Sequence, residues 1–334
     1  MHTSNKLTRL FVALFALVVL AAAAMAQTVD PNVTASDQKA GAVVVYPYYN
    51  SNSQTKADTR LTLSNLSSTQ TVPVHLFFLD KNCNQADTFV CLTPNASVVF
   101  KASEFDPEQL GWVLAVAVSN RTGLPTDHNT LIGNAFVSDG DYTGNYGAET
   151  FTINNATADI RSLDGGITAG FNIQAPSALA VELQSPADAV GQKIVTVGLT
   201  GNISAGSTTG AGQRGTGIIY NGNEKPFGSF SPFLPAGCRS EAIIDAKTPR
   251  VPGGLVNLVP AGQVATMRIN VGTVDGNGNV IGGAVGLLMT PKTLGNKWWF
   301  APNGASLVAP HHSGVPPDVL STSRAISNAK KGSR

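Results

Sequence analysis

Few residues in this chain have the types and spacing that chemistry requires. Asp139-Gly-Asp141-Tyr-Thr143-Gly144-Asn145 places oxygen ligands at positions 1, 3 and 5 with Gly at 6, as a calcium loop begins. Position 12 needs a bidentate acid, but Thr150 stands there and Glu149 falls one residue short. The expectation is therefore an Asp/Gly-rich turn between strands. Asp275-Gly-Asn277-Gly-Asn279, set between Val271–Val274 and Val280-Ile281, reads as the turn of a hairpin. Gly210-Ala-Gly212-Gln-Arg-Gly215 fits a dinucleotide fingerprint, yet that motif works only between a strand and a helix N-terminus. Here Thr216-Gly217-Ile-Ile-Tyr220-Asn-Gly222 follows, which predicts a strand and another turn. Zinc needs about four closely spaced ligands, and no such set occurs. The sequence thus predicts neither a metal nor a cofactor.

Acid–base and nucleophilic chemistry fare no better. There is no Gly-x-Ser-x-Gly and no His-Glu-x-x-His. His75 alternates with Val74 and Leu76 and is expected on the partly wetted face of a strand. His128 stands beside Asp127 in a polar loop, and His311 and His312 are adjacent in the tail. Glu149, Asp141 and Glu182 are the type of acid a paired-carboxylate hydrolase uses, but solvated surface acids are the plainer reading. No catalytic residue is expected, and the chain reads as something other than an enzyme.

Binding chemistry has two aromatic candidates, Tyr46-Pro-Tyr48-Tyr49 and Trp298-Trp299-Phe300. Exposed rings stack on the apolar faces of sugars. Adjacent residues of a strand face opposite ways, so one of Trp298 and Trp299 is expected outward as a ligand-binding ring. Core packing is the stronger reading for Phe77, Phe78, Phe100 and Trp112. Cys83, Cys91 and Cys238 allow three pairings. Cys83–Cys91 is the preferred one, worth roughly 2.5 kcal/mol through chain entropy.

The elements that must position these residues follow a leader. Lys6 and Arg9 precede the apolar run Leu10 to Leu20, and Ala24-Met25-Ala26 supplies small residues before Gln27. That is the pattern of a secretory signal peptide, too short and too alanine-rich for a spanning helix. The expected location is therefore secreted, periplasmic or extracellular. The whole chain carries a formal charge of +1, and losing Lys6 and Arg9 takes this to about −1. Such a balance leaves no electrostatic footprint for nucleic acid. Charged residues make up 13% of the chain, against roughly 25% in ordinary globular proteins, and Gly, Ser, Thr and Asn fill the deficit.

After the leader, apolar residues either alternate or form short continuous runs bounded by turn residues. Arg60-Leu61-Thr62-Leu63-Ser64 alternates, while Ala42–Tyr49, Trp112–Val118, Ile194–Leu199 and Ala284–Met289 are continuous. This predicts an all-β fold of immunoglobulin-like or jelly-roll-like sandwiches. Helix is expected only as one or two turns, around Ser103–Gln109 and Ala156–Leu163. Strands shorter than the ~10 residues of an outer-membrane barrel argue against membrane spanning. Two Leu-x-Pro-x-x-x-Val lead-ins, at Leu92–Val98 and Leu258–Val264, suggest two similar halves. The predicted organisation is a signal peptide at 1–26, a first sandwich at 27–155, a junction at 156–175, a second sandwich at 176–309 and a disordered basic tail at 310–334.

Asp58-Thr-Arg-Leu-Thr-Leu-Ser-Asn65, Val74-His-Leu-Phe-Phe78, Cys91-Leu-Thr-Pro94 and Gly111-Trp-Val-Leu-Ala-Val-Ala-Val118 resemble a group of uncharacterised exported bacterial proteins. Phe227-Gly-Ser-Phe230 and Val259-Pro260-Ala-Gly262 continue the likeness. The Leu-x-Pro lead-ins also resemble bacterial immunoglobulin-like domains. The first group implies no activity; the second implies spacers or binding modules. The functional expectation is an exported, non-catalytic structural or binding protein with an envelope or extracellular partner, a glycan being one candidate. The alternative is a carbohydrate-binding or carbohydrate-active protein. A flat Thr/Asn surface would favour the spacer, and a groove holding two carboxylates the hydrolase.

Overall fold

The structure is a computed structural model. It describes side chains for residues 39–152, 178–270 and 284–290, apart from 81, 83, 124, 139–142, 199–214, 222–224 and 233–238, and gives some short strands elsewhere by backbone alone. The leader at 1–26 lies outside the described residues, as do most of the expected junction and tail. Residues Thr34–Arg334 form one compact unit.

The architecture is almost entirely β and antiparallel. In the first half the strands are β1 (Val43–Asn50), β2 (Asp58–Asn65), β3 (Val72–Asp80), β4 (Gln85–Leu92), β5 (Ser97–Lys101), β6 (Leu110–Ala117), β7 (Leu131–Ser138), β8 (Thr143–Gly147) and β9 (Glu149–Phe151). They build two sheets, one ordered β9-β1-β6-β3-β4 and the other β5-β2-β7-β8. The second half adds β10 (Ala178–Gln184), β11 (Gln192–Gly198), β12 (Gly215–Asn221), β13 (Pro226–Phe230), β14 (Arg239–Ile244), β15 (Val264–Val271) and β16 (Ala284–Met289), with one helical turn, α1 (Leu255–Leu258). These give sheets ordered β13-β12-β15-β10 and β14-β11-β16.

Side-chain alternation stacks the four sheets as layers. In β2, Leu61 and Leu63 are buried while Arg60 is exposed. That strand belongs to an outer sheet, with one face dry and one wet. β1, β11 and β16 are buried at every residue. They belong to inner sheets, which explains why their sequences are continuous apolar runs. Along β11, Ile194 joins the core of the second half, whereas Val195 and Val197 join the core of the first. Along β16, Ala284 and Leu288 face the second core, and Val285, Leu287 and Met289 face the first. The sheet holding β11 and β16 is therefore packed back to back, one face closing the first apolar core and the other face the second.

Two local devices shape this stack. Pro47 has no N–H to give the ladder, and the register between β1 and β6 slips between Tyr46 and Tyr49. The tyrosines around that bulge are fully buried, so Tyr46-Pro-Tyr48-Tyr49 is core and not a sugar platform. The Leu-x-Pro lead-ins form type II turns in both halves. Ala96 N–H donates to Thr93 O (3.1 Å) with Asn95 at φ 55°, and Gln263 N–H donates to Pro260 O (3.0 Å) with Gly262 at φ 77°. The turns share a type but are offset by one residue relative to their prolines.

Several expectations change here. Ile160–Leu163, expected as part of a helix, pairs antiparallel with Gly166–Ala169. In the tail, His311–His312 pairs with Leu179–Ala180. Phe77, Phe78, Phe100 and Trp112 are buried as expected.

The preferred Cys83–Cys91 bridge is not formed: Cys91 is a free, exposed cysteine, and Cys83 lies outside the described residues. The reason is geometric. β4 extends from Gln85 past Cys91, which pairs with Pro73, and six strand residues span about 20 Å. Two further residues cannot bring the chain back to the ~6 Å a disulfide requires.

Candidate functional site

Two polar clusters interrupt the apolar layers. The first lies where the inner sheets meet. β14 alternates, so Arg239 and Glu241 share a face, and pairing sets them opposite Val197 and Val195, which face the first core. Glu241 bonds Arg239 at 2.5 Å and Lys193 at 3.1 Å. The Arg239 side chain is 3% exposed and the Lys193 side chain 11%. Both cations cover the ring of Tyr48, at 5.2 Å and 5.7 Å from its centroid. The bulge at Pro47 puts Tyr48 there. Tyr48 N–H donates to the Tyr146 hydroxyl (3.2 Å), and that hydroxyl donates back to Tyr48 O. Beside this group, Tyr49 OH donates to Asp106.

Burial and pairing move the tyrosines and acids of the cluster from their ordinary values. Burial pushes the phenols of Tyr46, Tyr49 and Tyr146 far above their ordinary value. Burial also lifts Glu241, but Arg239 and then Lys193 outweigh it and leave its carboxyl below the usual range. Asp106 is raised, first by burial and also by nearby Asp80, against the lowering bond from Tyr49. A carboxylate bonded to two basic side chains beside neutral phenols suits a lock between layers. Arg239 Nε has no hydrogen-bond partner among the described residues.

The second cluster lies on β3 and β4, a two-strand ledge at the end of an inner sheet. His75 pairs with Phe89 and Phe77 with Asp87 across the ladder. The three rings stack: His75 lies 3.8 Å from Phe77 at 37°, and 4.0 Å from Phe89 at 21°. His75 Nε2 is 2.8 Å from Asp87 Oδ2. The expected wetted histidine is instead buried, because aromatic rings cover both of its faces. Burial pulls its pKa below 6.5 despite the Asp87 bond.

That shift has a measurable consequence. The folded His75 resists a proton that the unfolded chain takes up, so its contribution to stability is complete above pH 6.5 and shrinks as pH falls toward the folded value. Unfolding free energies from urea titrations should decline on acidification below pH 6.5 by at most about 1.4 kcal/mol per pH unit from this group. His75→Gln should flatten that limb; an unchanged slope would remove His75 as its source.

The other candidates are dispersed. Glu149 is buried on β9, Glu182 is exposed on β10, and Asp141 lies outside the described residues. Trp298 and Trp299 occupy the backbone of a short strand, Lys297–Trp299, paired with Lys292–Leu294; their side chains lie outside the described residues. The Asp139 and Asp275 loops and the Gly210 loop are also outside, although Gly215 opens β12, the strand expected to follow that loop. Among the described residues, no group of three His, Cys, Asp or Glu could hold a metal. Nor is any helix among them long and apolar enough to cross a membrane. The outer face of the first half carries Thr62, Ser64, Ser97, Asn134 and Asn145 around exposed Phe136.

Sequence reasoning passed over Lys193, Arg239, Glu241 and Asp87. The available signal was a charge at an alternate position of a strand otherwise rich in apolar residues. No family model matches the chain, and no curated protein matches it. A solved structure, Thermotoga maritima 1070, is 11% identical, spanning 34% of this chain and 93% of its own, with a TM-score of 0.25. A likeness this slight carries no argument.

Proposed function

We propose that this chain is an exported, non-catalytic structural or binding protein of the cell envelope or extracellular space, built from two β-sandwiches of immunoglobulin-like or jelly-roll-like type. The observation that carries this reading is the double burial of the inner strands. Layers packed on both sides and pinned by Tyr48, Arg239 and Glu241 make a stiff block whose outer face mixes Thr, Ser and Asn with Arg60, Lys101 and the exposed Val99 and Phe136. A doubly buried stack of sheets with such a mixed outer face suits spacing and broad surface contact, and the leader pattern ending at Ala26 supports export.

The test is to express the full chain in a bacterial host. The product should begin at Gln27 and fractionate with periplasm, envelope or medium. An intact Met1 form retained in the cytoplasm would contradict the proposal. Carbohydrate binding is the second reading, favoured by Phe89, a ring 59% exposed yet held in a stack.

A further inference from the structure

We infer that Phe89 and Asp87 on β4 form a stacking subsite for a neutral pyranose unit of a glycan chain; the inference rests on the carbohydrate-binding reading above. Phe89 is 59% exposed, whereas Phe77 at the base of the ladder is 4% exposed. His75, wedged between them, holds the outer ring in place. One face of Phe89 therefore lies on His75 and the other is free. Because the ring is immobilised before any ligand arrives, little ordering entropy remains to be lost on binding.

The free face carries the negative side of the ring quadrupole, which complements the C–H face of a pyranose. Asp87 stands two residues away on the same face of the strand. Its Oδ2 is engaged by His75, and its side chain is 45% exposed. Oδ1 is thereby available to accept a sugar hydroxyl in a charge-assisted hydrogen bond. Gln85 continues the same exposed row. A carboxylate beside a ring would also attract an ammonium group. On a ring this open, however, water keeps the cation solvated and little is gained. Sugar stacking needs only contact area, which the ledge provides.

Affinity electrophoresis of the mature chain through gels holding a soluble β-glucan, a xylan, a mannan or polylysine tests this. At least one neutral polysaccharide should retard the protein, equally at about 50 and about 500 mM salt. Phe89→Ala should weaken that retardation about fivefold or more, and Phe89→Trp should keep it. Phe89→Leu, which retains apolar bulk without a π face, should also weaken it, with melting temperatures confirming that each variant folds. Asp87→Ala should weaken it to a lesser degree. Retardation by polylysine alone, retardation by no polysaccharide, or parental binding by Phe89→Ala would overturn the inference. Export with cleavage at Ala26 but no glycan retardation would defeat this inference while leaving the structural proposal standing.

Discussion

Gly111→Ala should abolish folding or cost about 4 kcal/mol or more, the range reserved for backbone clashes in a core. A Cβ at Gly111 would sit 2.1 Å from Leu79 O and 2.8 Å from Tyr49 Cε1. β6 is laddered to β1 on one side and β3 on the other, so neither neighbour can retreat without breaking backbone hydrogen bonds. Gly133→Ala provides the contrast. Its Cβ would lie 2.2 Å from the Tyr46 hydroxyl, the tip of a side chain that donates to Thr62 O at 2.7 Å. That ring can tilt, giving a loss of about 1–3 kcal/mol, typical of overpacking. Urea unfolding of both variants checks the order. A mild Gly111→Ala would mean the inner strands pack less tightly than described.

Glu241→Ala should cost about 3 kcal/mol, because it leaves Arg239 and Lys193 buried with no counter-charge. The value sits at the low end for a broken buried pair, since the Glu241 side chain is 27% exposed. Arg239→Met should cost less. It keeps an aliphatic stem against Tyr48, removes the unpartnered Nε, and leaves Glu241 paired to Lys193. The carboxylate also predicts an acid limb. Its folded pKa is depressed below 4.5, so its stabilisation is present above 4.5 and lost as pH falls through the folded value. Glu241→Gln should shrink that limb in acid-unfolding curves. Equal losses for Glu241→Ala and Arg239→Met would show that the cluster does not act as a charge lock.

How much of this was legible depended on whether the signal was local. Arg60 to Ser64 alternates and Ile194 to Leu199 does not, and both patterns marked strands. The continuous runs even carried the hint of double burial. What they could not say is which layer covers each face, because Val195 meets the first half only through long-range packing. The cysteine pairing failed for a reason present in the sequence. Thr88, Phe89 and Val90 are strand-forming residue types with no Gly or Pro among Gln85 to Leu92, and a strand between two cysteines stretches them apart. The Tyr-Pro-Tyr-Tyr run suggested exposure, yet Pro47 made a bulge that turned its rings inward. His75 was placed on the right kind of strand, and its burial followed from Phe89 on a neighbour that no local pattern identifies.

Amide hydrogen exchange tests the back-to-back stacking most directly. Amides of Leu110–Ala117 in the first half and Gln192–Gly198 in the second should share the slowest rates and open together in one global event. If Gln192–Gly198 and Ala284–Met289 instead exchange in a separate, faster unit while the first half stays protected, the halves do not share a core and the layered account fails.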